Sequence, residues 1–424
     1  MVLDQKRSIL SWALYDWADS AFATTVMAGF FPVFFKEYWA GAGAPEQSTF
    51  YLGLANSAAS IIVAVLSPFL GAVADRGSSR KKFLMLFTFL GVVMTGALWL
   101  VGQGNWQMAV LFYVCSSVGF FGGNIFYDSL LTSVSSDRKM DFTSSLGYAL
   151  GYIGGGLLFL VNVIMYLKPH LFGIPDGATA IRISFLTVAL WWGCFSLPLF
   201  FFVKEPDVSG GTETGSSLAA GWRQLAATFR DLRHLRVVAL FLAAYWLYID
   251  GVDTIIKMAV DYGKSLGFES SSLLTALLMV QFIAFPAALL YGKIAEAVGT
   301  RRALLAAIAG YGIITILGFF MTMKWHFFVL AGMVGLFQGG IQALSRSFYT
   351  RIIPVDKSAQ FFGFYNMLGK FAAVIGPAMM GSIAFVTGNV RYGILSILVL
   401  FILGGLLLSR VDVRKGRDVA DKYL

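Results

Sequence analysis

The sequence predicts an all-α integral membrane protein: twelve transmembrane helices in two six-helix, pseudo-symmetric bundles. Three observations carry this expectation. The chain is apolar with little charge, it holds twelve apolar stretches of spanning length, and one charged loop recurs in both halves.

Of 424 residues, 58% are apolar and 13% are charged, and mean hydropathy is +0.74. A soluble chain carries about 25% charged residues, and this much apolar surface would aggregate in water. The bilayer is the solvent that suits the composition, which argues against a cytosolic enzyme, a secreted domain or a nucleic-acid module. The net charge of +9 fits cytoplasmic loops that collect Lys and Arg, and no basic stretch is interleaved with aromatics as single-stranded nucleic acid would require. Cys115 and Cys194 lie in apolar runs without a CxxC, and the three histidines are scattered, so neither a disulfide framework nor a metal site is expected. No cofactor and no cleavable leader are expected either.

A spanning helix needs about 20 mainly apolar residues. The twelve stretches lie near 9–35, 49–74, 83–102, 106–132, 143–167, 181–203, 235–260, 271–292, 303–323, 325–350, 359–386 and 391–409. With both termini inside, 24 Lys and Arg fall on the inner side and 6 on the outer, with Lys257 and Lys370 within spans. That asymmetry supports a cytoplasmic N- and C-terminus, and one missed span would destroy it. The longest polar stretch sits between spans six and seven. The expected organisation is a bundle over 1–203, a cytoplasmic linker over 204–234 and a second bundle over 235–424.

The halves repeat. One offset of 221 positions maps Gly71, Ala74, Asp75, Arg80 and Lys81, after span two, onto Gly292, Ala295, Glu296, Arg301 and Arg302, after span eight. Spans one and seven each carry acids three apart, Asp16/Asp19 and Asp250/Asp253. Repeated halves of six spans are the plan of secondary transporters with a midplane site. In the loop, Gly71 and Gly292 allow close helix approach. Asp75 can cap a neighbouring helix or pair with a base, and Arg76, Arg80 and Arg301 anchor the loop.

On these residues the chain resembles the major facilitator superfamily, whose loop signature is roughly G-x-x-x-D-[RK]-x-G-[RK]-[RK]. Asp75–Arg76 is intact, whereas Gly77 comes one position early and Ser78 takes the second-glycine position. The superfamily's span-four arginine motif and the span-five proline–glycine motif of many drug antiporters are absent, which argues against a drug exporter. A narrower resemblance rests on WALYDWADSAFATTVMAGFFPVFF, GGIQALSRSFYTRIIP and FFGFYNMLGKFAAVIGP. These look like spans one, ten and eleven of the vacuole effluxer-like (UMF1-type) family. That resemblance implies transport and suggests amino acids. Sugars, peptides and organic anions remain open as solutes. It also implies a lipid-embedded monomer with a small-molecule substrate, and protons or another ion as coupling partner. Short loops fit a bacterial inner membrane.

The placement of charge argues independently. A charge at a helix centre costs about 2.5–3.5 kcal/mol on insertion scales, so a buried charge calls for water or a partner. Interior charges fall only in spans one, four, seven, ten and eleven: Asp16, Asp19, Asp128, Asp250, Asp253, Lys257, Arg346 and Lys370. The superfamily resemblance places spans one, four, seven and ten around a central cavity. At about 1.5 Å per residue, Asp19 lies ~15 Å and Lys370 ~17 Å into their spans, near the middle of a core ~30 Å thick. Asp16 and Asp19 share a helix face, and two like charges there disfavour joint ionisation, which makes the pair a candidate proton carrier. Asp253 and Lys257, four apart, can neutralise each other. Lys370 is too deep to snorkel and is the candidate for a substrate carboxylate, with Tyr365 and Asn366 beside it. Arg346 either snorkels to the cytosol or pairs with Asp128 across the halves as an inner gate. Glycines 147, 151 and 155 predict close packing of span five. A membrane enzyme would need a nucleophile or metal constellation that the sequence does not offer. A non-transporting receptor on the same fold would not need the buried charges.

Overall fold

The computed structural model describes residues 3–39, 45–76, 79–205, 235–372 and 375–422. The expected linker falls almost wholly outside them. The described chain is helical: ten helices are long and apolar enough to cross a membrane. They include Arg80–Leu100, Met140–Leu167, Gly177–Phe202, Thr300–Phe319 and Val390–Ser409.

The two remaining spans are composite. Span one begins as Lys6–Ala21, continues through π-helical Phe22–Phe30, and ends as Phe31–Phe34 and the π-helical Phe35–Trp39. Such π-turns concentrate at functional sites, and this one faces the middle of the protein. Span eleven is two helices, Ser358–Ala372 and Ile375–Thr387. The carboxylate of Asp250, in span seven, accepts the N–H of Gly376 at 3.0 Å through each oxygen. The carboxylate therefore takes one of the orphan donors of a helix start from outside the helix. Asp250 is 1% exposed. Asp250→Ala would strand the Gly376 N–H, and a buried unsatisfied donor costs about 1–3 kcal/mol. The melting temperature in detergent should fall accordingly, and an unchanged value would show that the cap is dispensable.

Helix starts elsewhere follow familiar chemistry. Asp176 accepts the N–H of Thr179 at 2.7 Å and opens span six. That backbone bond holds its carboxyl below the ordinary carboxylate value. Pro68, Pro198 and Pro286 lie inside helices, where neighbours can satisfy the freed carbonyls. Leu86, Phe89, Leu190 and Phe201 point outward, as lipid-facing positions should.

Two helix pairs make the most extensive contacts between the halves, with lighter ones of span five on span ten and span four on span eleven. Span two packs along span eleven, and span five along span eight. Glycine sets both approaches. A Cβ on Gly71 would run into the backbone of Ala359, and one on Gly292 would sit 2.9 Å from the Ser145 side chain. The repeated loop glycines thus occupy equivalent places at the two inter-half contacts. On the side of the bundle that carries both chain ends, Asp4 accepts the N–H and Oγ–H of Ser136 at 2.9 and 2.7 Å. The C-terminal helix Val413–Lys422 reaches the same loop through an Arg417–Asp137 ion pair.

Candidate functional site

A cavity of about 360 Å³ lies between the halves. Span one lines it with Asp16, Asp19, Ser20 and Thr24, span four with Asn124 and Asp128, and span five with Tyr148 and Tyr152. The second half supplies Tyr245, Gln281, Gln338, Gln342, Arg346, Tyr365 and Asn366. The wall is mostly polar, which a water-filled or solute-filled space inside a membrane protein requires.

Arg346 forms the floor. It is 1% exposed, and its guanidinium is fully engaged by the other half. Nη1 lies 3.0 Å from Asp128 Oδ1 and Nη2 3.3 Å from Asp16 Oδ2. Nε donates to Ser144 Oγ and Nη2 to Ser144 O, both at 2.9 Å. The ring of Tyr148 lies 4.3 Å from Cζ and that of Trp12 4.8 Å, within cation–π range. Asp16 also accepts the Tyr127 hydroxyl at 2.7 Å. Tyr127 is fixed by stacking on Trp12, with centroids 4.5 Å apart. Span five makes room for the pair with Gly147, whose added Cβ would meet Asp16 Oδ2 and Arg346 Nη2. Gly151 and Gly155 likewise let span five approach Ser20 and Thr24 of span one. Arg346 therefore pairs rather than snorkels.

Asp19 differs from its neighbour. It is 2% exposed, lines the cavity, and its Oδ2 is buried without a hydrogen-bond partner. A buried charge without a partner is costly, so this carboxyl calls for neutralisation, by a proton or by a cationic group. Asp253 lines a smaller space of about 110 Å³ with Tyr148, Tyr245, Gln342, Tyr365, Asn366 and Gly369. Tyr365 stacks on Tyr245, with centroids 4.1 Å apart. The Asn366 amide donates to Phe362 O at 3.0 Å and to Asp128 Oδ2 at 3.4 Å. Asp250 does not line either space. It faces the second helix of span eleven, as described above. Lys257 and Lys370 lie on described helices, but their side chains, like that of Arg76, fall outside the described residues.

Below the floor, two further clusters join the halves. In the first, Asp75 accepts from Arg80 Nε at 2.8 Å and from the N–H groups of Ala359 and Gln360, at the start of span eleven, at 3.1 and 2.8 Å. Arg80 Nη2 donates to the carbonyls of Val355 and Asp356 at 3.1 and 3.0 Å. One carboxylate thus both caps a helix in the other half and orients the arginine that binds the preceding turn. The second copy is built differently. Glu296 is exposed, and Arg301 donates to Val411 O at 3.0 Å within its own half. The carboxylate at this contact is Asp141, in the first turn of span five. It accepts from Arg351 Nη1 and Nη2 at 2.9 and 3.0 Å, from Thr300 Oγ1 at 2.8 Å and from Ser347 Oγ at 2.6 Å. The sequence reading missed Asp141 and Arg351. The only available signal was that Gly292 must pack against some helix start.

Gly71→Val tests the first cluster. The branched side chain has no room against the Ala359 backbone, and such overpacking costs about 1–3 kcal/mol, borne by the state in which spans two and eleven touch. Transport should fall while insertion is kept, and a wild-type rate would show that the close approach is dispensable.

The comparisons agree with this architecture. The chain matches the family described as vacuole effluxer Atg22 like over residues 4–140 and 132–421. It is 37% identical to an uncharacterized MFS-type transporter, YxiO, of Bacillus subtilis (strain 168), covering 97% of this chain and 96% of that one. Autophagy-related protein 22 of Yarrowia lipolytica is 25% identical, covering 85% of this chain and 74% of that one. Among solved structures, the proton:xylose symporter XylE superposes with a TM-score of 0.71 at 13% identity, covering 96% of this chain and 94% of that one. The human organic anion transporter MFSD10 gives 0.71 at 14% identity, covering 96% and 100%. At such identities the structures speak for the fold alone, and the sequence matches for the family. The twelve-span bundle with its central cavity is a multi-pass membrane transporter of the major facilitator type, and the chain belongs to the Atg22-like vacuole effluxer family.

Proposed function

We propose that the protein exchanges an amino-acid-like solute for protons across a bacterial inner membrane by alternating access, with both termini cytoplasmic. The observation that carries this reading is the buried, unpartnered Oδ2 of Asp19 in the wall of a cavity floored by Arg346. A single carboxylate can hold a proton or the solute's ammonium group, and each excludes the other. Competition for one site couples the two fluxes without any direct contact between them. Among the described residues, the charged groups around Asp19 are Asp16 and Asp128, which repel a second negative charge, and Arg346, which attracts it.

The ion-paired floor and the two clusters beneath it close the cytoplasmic side in this conformation. Opening that side requires Arg346 to leave Asp16 and Asp128, Arg80 to leave the turn before span eleven, and Arg351 to leave Asp141. Each is a discrete contact between rigid halves, the kind of bistable element that a solute can bias. Lys370 is proposed to hold the solute carboxylate, with Tyr365 and Asn366 beside it. Lys370→Ala should abolish exchange in proteoliposomes while the purified protein remains monodisperse and monomeric. Normal exchange by that variant would remove Lys370 from the site. Sugars, peptides and organic anions are the competing solutes, and a screen of ligand-induced thermal shifts separates the classes. A ligand at 100 times its Kd adds about 2.7 kcal/mol of stability.

A further inference from the structure

A second cavity, of about 120 Å³, lies wholly within the second half. All six spans of that half line it, with Met258 on span seven, Val280 on span eight, Ile314 on span nine, Phe327 on span ten, Met380 on span eleven and Ile397 on span twelve. Two of the few polar groups in this wall are spent on helix carbonyls. The Thr254 hydroxyl donates to Asp250 O at 2.6 Å and the Tyr262 hydroxyl to Gly318 O at 2.9 Å. Among the described residues the wall carries no charged side chain. Lys257 follows Asp253 by four positions and shares its row on span seven, whereas Thr254, Met258 and Tyr262 form the neighbouring row. A buried water needs two to four polar partners, and a dry apolar cavity of about 150 Å³ takes up benzene instead. This wall and volume therefore suit one small ring.

The repeat does not impose such a space. On the same side of the first half, spans one, four and six close their packing with rings. Phe31 stacks on Tyr113, with centroids 3.9 Å apart, and Trp39 on Phe185 at 5.7 Å, and all four are buried. The cavity of the second half also has a neighbour. Gln281 and Gln338 line both it and the central cavity, so the two spaces adjoin and differ sharply in polarity. We propose that the apolar cavity is a second binding site, for a small uncharged apolar molecule about the size of one ring, held at the same time as the polar solute. An ammonium is excluded there, because a buried charge without a partner is costly.

The test compares toluene with benzylamine, which has the same ring and a cationic amine. Binding is read from the melting temperature of the full-length protein in detergent. Toluene should bind about tenfold or more tightly than benzylamine. Ala276→Leu and Ala331→Leu fill the cavity from two different spans, and each should weaken toluene binding about tenfold or more. The variants sit in the same micelles, which corrects for toluene dissolved in detergent, and either one alone suffices if the other does not fold. The toluene shift should add to that of the amino acid giving the largest shift. Benzylamine binding as tightly as toluene, or a toluene shift undiminished in the filled variants, would overturn the proposal. So would a toluene shift that vanishes at saturating amino acid, because the solute's own side chain would then occupy the space. A toluene shift without any amino-acid shift would uphold this site and count against the solute class proposed above.

Discussion

Arg346→Ala is expected to abolish exchange and to leave the cytoplasmic side of the cavity open. The substitution removes both inter-half ion pairs of the floor, at 3.0 and 3.3 Å, together with two hydrogen bonds to Ser144. It also strands Asp16 and Asp128 as buried charges. Breaking a buried pair from one side costs about 3–5 kcal/mol, most of it the penalty of the unpaired charge. In the proposed cycle only the closed state makes these contacts, so that state bears the loss. Cysteines placed at Ser20 and Asn124 should become reactive from the cytoplasmic side in the variant and be protected in the wild type. Arg346→Lys should rescue little, because an ammonium cannot bridge two carboxylates and a carbonyl with the planar fork of a guanidinium. Protection that survives Arg346→Ala would mean that the Asp75 and Asp141 clusters close the protein unaided.

The second large effect is expected at Asp19. Asp19→Asn keeps the shape and removes the charge. Solute binding should weaken by at least about tenfold, the scale of one charge-assisted hydrogen bond. The residual affinity should lose its dependence on pH. In the wild type, affinity should fall as the medium is acidified, because the proton occupies the atom that the ammonium needs. A variant that binds normally but no longer moves protons would make Asp19 a proton site alone and place the solute elsewhere.

Much of this was legible in the sequence, for physical reasons. Span positions follow from the cost of exposing backbone and charge to hydrocarbon, so apolar stretches alone locate them. The same cost singles out Asp128 and Arg346, and it permits their pairing, because an interior arginine needs a partner. The loop glycines were legible because a repeat at fixed offset marks both inter-half contacts. What stayed hidden has equally physical causes. Asp250 and Asp253 are separated by less than one turn, and depth does not say which neighbour each meets. The structure turns Asp250 toward Gly376 and leaves Asp253 lining the smaller space beside the cavity. Asp141 and Arg351 lie at span ends, where charge is ordinary, so their role in joining the halves has no signature. Tyr148, Tyr152, Gln281, Gln338 and Gln342 are neutral, carry no insertion cost comparable to an ion, and so do not stand out along the chain. The departure of Glu296 and Arg301 from their counterparts Asp75 and Arg80 shows that a repeat in sequence need not repeat the contact. The second half meets the same need with a carboxylate from span five.

In the proposed mechanism, proton and solute compete for one carboxylate, that of Asp19. Proton release from detergent-purified, weakly buffered protein, on addition of the amino acid that gives the largest thermal shift and followed from acid to alkaline pH, reads this competition. Up to one proton should be released per bound solute, fading as Asp19 loses its proton at alkaline pH and absent in Asp19→Asn. Saturable binding of the solute with no proton released at any pH would contradict it.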